Sequence, residues 1–189
     1  MALIRSGAVR GVSALQSSVE ILFREPRLAL LVICPYRPPM PQSLSLVVIH
    51  VIFSTKDRAP FLDSPTRPTL HAYLSTAARN AGCDAYRVGG VEDHVHLAIR
   101  LSRTITIANL VETLKTSSSK WLKTQSAELG GFSWQRGYAC FSVGPSDLGA
   151  LCGYIDGQEE HHQKRTFQEE FRNFLEKYGV EYNEAYVWD

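Results

Sequence analysis

Residues 83–100 read CDAYRVGGVEDHVHLAIR, two strand-like runs on either side of a glycine pair. Gly-Gly between such runs is hairpin chemistry, so the spacing predicts strands over 83–89 and 92–100 joined at Gly89-Gly90. Side chains alternate across a strand, which puts His94 and His96 on one face and Val95 and Leu97 on the other. Two imidazoles sharing a face are either half of a metal site or a pair packed in a core or on a surface.

Upstream, LSLVVIHVIFS at 44–54 is β-branched and apolar and reads as a buried strand, followed by the loop TKDRAPFLDSP. Leu70, Leu74, Ala77 and Ala78 then recur at helical spacing over about 65–81, and Gly82 ends that helix. Beyond the hairpin, Ile107, Leu110, Val111, Leu114, Trp121 and Leu122 form the apolar stripe of a helix over 104–126, with Gly130-Gly131 as its stop. FSWQRGYACFSV at 132–143 supplies a further strand or a hairpin. Pro145 opens a helix running to about His162, since proline is tolerated in a first turn. A last helix near Thr166–Tyr178 presents Phe167, Phe171, Phe174, Leu175 and Tyr178, and Gly179 caps it. The order β-α-β-β-α-β followed by two helices predicts an α+β fold, a ferredoxin-like or RRM-like antiparallel sheet with helices on one face and C-terminal helices added.

The 189 residues, 44% hydrophobic and 21% charged, suit one globular domain. A net charge of +1 gives no bulk basic field, so any nucleic-acid contact must come from local patches. Cys34, Cys83, Cys140 and Cys152 form no CxxC pair, which argues against a disulfide framework or zinc knuckle and suits a reducing cytoplasm. No apolar run reaches the roughly 18–20 residues of a membrane span. Residues 1–39 stand apart, with five arginines, two acids and no lysine, and PYRPPMP at 35–41 breaks the chain before Met40. Targeting peptides share that composition, but small residues do not follow LALLVIC at 28–34. Residues 1–39 are therefore expected to be a non-native or poorly ordered extension, and 40–189 the folded domain.

The other half of a metal site should come from a second element, and LCGYIDGQEEHH at 151–162 is the place to look. On a helical wheel Leu148, Leu151, Cys152 and Ile155 share the buried arc, while Tyr154 and Gln158, four apart, stack on its flank. A tyrosine in that position is usually packing. Beside a metal it is a candidate nucleophile, because a divalent cation can polarise the electrophile attacked by a phenol whose ordinary pKa is about 10. Two imidazoles and one neutral amide oxygen leave positions open for phosphate and water, which suits Mg²⁺ or Mn²⁺ and not a closed structural zinc. His161 and His162 read as solvated helix-end residues, favoured at the negative end of the dipole.

GGVEDHVHL at 89–97, HVIFSTKDR at 50–58 and YIDGQEEHH at 154–162 together resemble the HUH single-tyrosine transposases of the insertion-sequence type, a group that includes domesticated relatives associated with repeated extragenic palindromes. The resemblance covers Met40 to Asp189. It implies that Tyr154 is the nucleophile, that His94 and His96 are metal ligands and that Gln158 is the third ligand. It further implies cleavage of single-stranded DNA at hairpin-flanked sites through a 5′-phosphotyrosine link with release of a 3′-OH, and a homodimer in a bacterial cytoplasm. The long leader before Met40 departs from the family pattern.

DNA contacts are expected at Lys56, Arg58 and Arg103 near element ends, and at Lys115, Lys120 and Trp121 in KTSSSKWLK, with Arg136 nearby. The competing reading of that stretch is a solvated helix face with Trp121 in the core. Two other functions stay open: a catalytically silent DNA-binding descendant, and a metal-dependent hydrolase in which His94 and His96 activate water. Amino-terminal sequencing of the native protein is expected to begin at Met40, and recovery of upstream residues would contradict that start.

Overall fold

The computed structural model describes residues 43–162, 166–185 and 187–188. The reading of residues 1–39 as an extension, and of Met40 as the native start, lies outside the described residues. Four strands, β1 (Val48–Ser54), β2 (Asp84–Gly90), β3 (His94–Arg100) and β4 (Ala139–Val143), form one antiparallel sheet in the order β2-β3-β1-β4. Helix α1 (Thr66–Asn80) links β1 to β2, and α2 (Ile107–Gln125) links β3 to β4. Three helices follow: α3 (Leu148–Asp156), α4 (Gln158–His162) and α5 (Phe167–Lys177). This is the α+β, ferredoxin-like arrangement that the element order predicts.

Alternation divides the two central strands cleanly. Ile49, Val51 and Phe53 of β1, with Val95, Leu97 and Ile99 of β3, pack against Leu70 and Leu74 of α1 and Leu110, Leu114 and Leu122 of α2. The opposite face carries Ile52 and Phe141, covered by Phe167, Phe171 and Leu175 of α5. Every residue of β1 is buried, which explains why 48–54 is apolar on both faces except at His50 and Ser54. His50, His94 and His96 all lie on the face beneath the C-terminal helices, since Ile52 pairs with His96 and Ser54 with His94.

Several boundaries differ from the sequence reading, for local reasons. The first strand begins at Val48, and Leu44, Leu46 and Val47 before it are exposed. The hairpin turns at Val91–Asp93, and Gly89-Gly90 belong to β2. Their lack of side chains serves packing instead. A Cβ on Gly89 would stand 2.6 Å from Ile155 Cγ2 and 2.8 Å from the Ile155 carbonyl oxygen, so this glycine lets α3 lie directly on the sheet. Helix α2 stops at Gln125, before the glycine pair, which sits in a 3₁₀ turn over Glu128–Gly131. Of the segment 132–143 only the last five residues form β4, while Trp134 is a core residue whose indole donates to Ser118 Oγ at 2.9 Å. The single helix expected over 145–162 is a 3₁₀ turn, α3 and α4, broken at Gly157.

Gly89→Ala should therefore destabilise the domain by about 1–3 kcal/mol through overpacking, read from the urea midpoint. Gly153→Ala, where a methyl meets nothing within 4 Å, should leave stability unchanged or raise it by up to about 1 kcal/mol. Equal midpoints for Gly89→Ala and the wild type would contradict close packing of α3 on β2.

Candidate active site

The two histidines of β3 are fully buried and each has its Nδ1 engaged. His94 Nδ1 lies 2.7 Å from Asp93 Oδ1, and Asp93 in turn accepts from Arg58 Nη2 at 2.7 Å and Nε at 3.0 Å. Asp57 and Arg58 adopt left-handed backbone conformations with φ of 55°. That tight turn after β1 carries Arg58 to Asp93. His96 Nδ1 lies 3.0 Å from Nε2 of His50, a diagonal neighbour on β1 whose ring stacks on it at 5.2 Å. His96 Nε2 is buried and has no hydrogen-bond partner among the described residues. A histidine whose Nδ1 is held in this way presents Nε2 for a metal, the usual orienting pattern around such ligands.

The C-terminal helices close over this face. The Tyr154 ring stands edge-on to His96 at 5.6 Å and to His50 at 6.1 Å, and its hydroxyl is buried without a partner among the described residues. Gln158 is buried, with Oε1 3.4 Å from His94 Nε2 and 3.2 Å from His162 Nε2, and its amide donates to Glu170 Oε1 at 3.2 Å. Tyr154, His94, His96 and Gln158, expected together, are brought into one cluster. The restart of the helix after Gly157 also turns His162 inward, contrary to the expectation of a solvated end residue. His161 is exposed, with its ring 5.3 Å from Tyr154. Residues His94, His162 and Glu170 offer ligand atoms all within 4.8 Å of one another.

Electrostatics favours neutral imidazoles here. Burial lowers His50 to about 4, and burial followed by repulsion from His94 lowers His162 to about 4. His96 falls well below its ordinary value through burial and the neighbouring histidines. Burial pushes Glu170 up to about 7. Burial would also raise Asp93, but hydrogen bonds and charge from His94 and Arg58 outweigh it and hold the carboxyl low. Neutral nitrogens are the form that a metal requires.

The basic residues divide into two groups. Arg58 is committed to Asp93, Arg103 donates to the Ser43 carbonyl, and Lys115 is half-buried, donating to the carbonyls of Gln135, Arg136 and Gly137. Trp121 is partly buried, stacked on Tyr73 at 4.8 Å against the edge of the core. Lys56, Lys120 and Arg136 are exposed. Lys120 and Arg136, with Lys123 and Tyr138, line a groove of about 540 Å³ between α2 and the segment before β4, which also contains Glu112. No described helix is long and apolar enough to cross a membrane.

Lowered histidine pKa values make the unfolded chain bind more protons between about pH 4 and 6.5. His50, His71 and His162, each lowered to about 4, therefore contribute stability that is present above pH 6.5 and lost as pH falls. Glu170, raised to about 7, works in the opposite direction as a single group. The urea midpoint of the metal-free protein should fall from pH 7 to pH 5, and an unchanged or rising midpoint would contradict burial of neutral histidines.

Comparison with solved structures identifies the same fold elsewhere. A chain assigned as a transposase from Deinococcus radiodurans R1 superposes with a TM-score of 0.50 at 21% identity, covering 65% of this chain and 98% of that one. A REP-associated tyrosine transposase bound to a REP hairpin superposes with a TM-score of 0.50 at 13% identity, covering 81% of this chain and 94% of that one. No curated protein matches the sequence. The family model described as "Transposase IS200 like" matches residues 43–158. That span runs from the residue preceding the first strand's approach to Gln158 and takes up more than half of the sequence, so the chain belongs to the IS200-like transposase family.

Proposed function

We propose that this transposase cleaves and rejoins single-stranded DNA, with Tyr154 as nucleophile and a divalent cation, Mg²⁺ or Mn²⁺, held by His94, His96 and Gln158. One observation carries it: the Tyr154 hydroxyl and His96 Nε2, both without a partner among the described residues, are both buried, with their rings 5.6 Å apart. Burying a polar atom without a partner costs about 1–3 kcal/mol, and two such atoms side by side suit a site completed by substrate and ion. The donor set fits a cation, since burial holds His96 well below its ordinary value and the amide oxygen of Gln158 already faces His94 Nε2 at 3.4 Å. Such an ion supplies polarisation of the scissile phosphate and neutralises charge developing on its oxygens.

In the proposed step the Tyr154 Oη bonds to phosphorus as the P–O3′ bond breaks. The phenol gives up its proton and the departing 3′ oxygen takes one up, so a 3′-OH is released. One phosphodiester is exchanged for another, and no ATP is needed. Hairpin DNA is the proposed partner, supported by the similarity to a transposase bound to a REP hairpin. Lys56, Lys120 and Arg136 are the proposed phosphate contacts, because they are exposed, while Arg103, exposed as well, already donates to the Ser43 carbonyl. The proposed catalytic domain is 40–189, acting as a homodimer in the bacterial cytoplasm.

Labelled single-stranded DNA carrying flanking hairpins should leave label on denatured wild-type protein in Mg²⁺ or Mn²⁺. Chelation with EDTA should abolish it, and Tyr154→Phe should reduce it by at least about 10³-fold. Strand cleavage by Tyr154→Phe at the wild-type rate, with no adduct on either protein, would overturn the nucleophile and favour hydrolysis by activated water.

A further inference from the structure

Among the described residues, Glu170 is the acid set into the apolar stripe of α5. Thr166 and Glu169 form a capping box that fixes where α5 starts. Phe167, Phe171 and Leu175 then face the sheet, and Glu170, three residues after Phe167, shares their side of the helix. Its side chain is 12% exposed, and among the described residues no lysine or arginine is paired with it. Its carboxylate meets His162 Nε2 at 3.1 Å and the Gln158 amide at 3.2 Å. The ring of His162 in turn stands 4.6 Å from that of His94.

Asp93 takes Nδ1 of His94 at 2.7 Å, so His94 Nε2 faces the C-terminal helices. Gln158 Oε1 stands 3.4 Å from that nitrogen and 3.2 Å from His162 Nε2, and Glu170 lies against both Gln158 and His162. Imidazole nitrogens and oxygens therefore converge on one buried point, as the donors of a cation do. Ligands on one octahedral ion stand roughly 3.0 Å apart when adjacent and about 4.2 Å when opposite. The His94, His162 and Glu170 ligand atoms all lie within 4.8 Å of one another, so a pair at that limit closes by about 0.6 Å if its members stand opposite and by about 1.8 Å if adjacent.

We propose that Glu170 and His162 are direct ligands of the divalent metal, giving the centre an anionic carboxylate and a third imidazole beyond the pair on β3. The inference deepens the metal-dependent reading and rests on it. The centre then combines imidazoles with one carboxylate, a donor set that holds Mn²⁺, Fe²⁺ or Co²⁺ more tightly than Mg²⁺. It also makes α5, which lies beyond the residues matched by the family model, part of the active centre.

The test is a Mn²⁺ titration of the full chain, without DNA, reading free ion by electron paramagnetic resonance. Wild type should bind one ion more tightly than it binds Mg²⁺ in competition. Glu170→Gln, which keeps shape and hydrogen bonding, and His162→Gln, near a helix end, should each weaken Mn²⁺ at least about 10-fold with unchanged circular dichroism. The His162 variant carries the test alone if Glu170→Gln fails to fold. Wild-type affinity in both variants, with loss in His94→Ala, would overturn these two ligands and leave the metal-dependent reading standing. No Mn²⁺ binding by the wild type would overturn both.

Discussion

The fold depends on one constraint: three histidines are packed on a sheet face that helices cover, and each buried ring nitrogen there needs a partner. A buried polar atom left alone costs free energy comparable to a lost hydrogen bond. Strand alternation places His50, His94 and His96 together, and β1–β3 register sets His50 diagonally across from His96. Asp93 serves one Nδ1 and His50 the other. The remaining nitrogens converge beneath α3, α4 and α5, whose chemistry-bearing side chains close the site.

The supporting structure can be traced to a few residues. Arg58 reaches Asp93 because the turn after β1 takes two left-handed residues. Gly89 removes the side chain that would hold α3 away, so Tyr154 rides close to the histidine face. Gly157 interrupts the helix, and the restarted turn keeps Gln158 and His162 four apart on one side. The capping box of α5 then fixes Glu170 against both. The other sheet face carries the large aliphatic core of α1 and α2. Stability and chemistry are thereby assigned to opposite sides of the same four strands.

Much of this was legible in the sequence because it follows from short periodicities. Alternation gave the shared face of His94 and His96, 3.6-residue spacing gave α1, α2 and α5, and the i, i+4 rule paired Tyr154 with Gln158. The same rule, carried one turn further, pairs Gln158 with His162, a signal hidden by treating the HH pair as a helix end. His50 was hidden inside an apolar run, where an imidazole in the middle of a fully buried strand was the available sign. Glu170 depends on tertiary contact between α4 and α5 and has no local signature beyond its place among phenylalanines. Gly89-Gly90 misled for a physical reason, since glycine serves both turns and close helix approach. Lys115 and Trp121 have the composition of a DNA-binding helix face, and within the chain they contact the 135–137 carbonyls and the Tyr73 ring.

The central claim is that this histidine face is a divalent-metal centre beside Tyr154. The most direct measurement is an anomalous-difference map from crystals of the full chain grown with Mn²⁺. The account predicts a peak about 2–2.4 Å from His94 Nε2 and His96 Nε2, on the side that faces Tyr154. A map with no peak in the cluster at saturating Mn²⁺, or with Mn²⁺ bound elsewhere and His96 Nε2 filled by a protein donor, would contradict it.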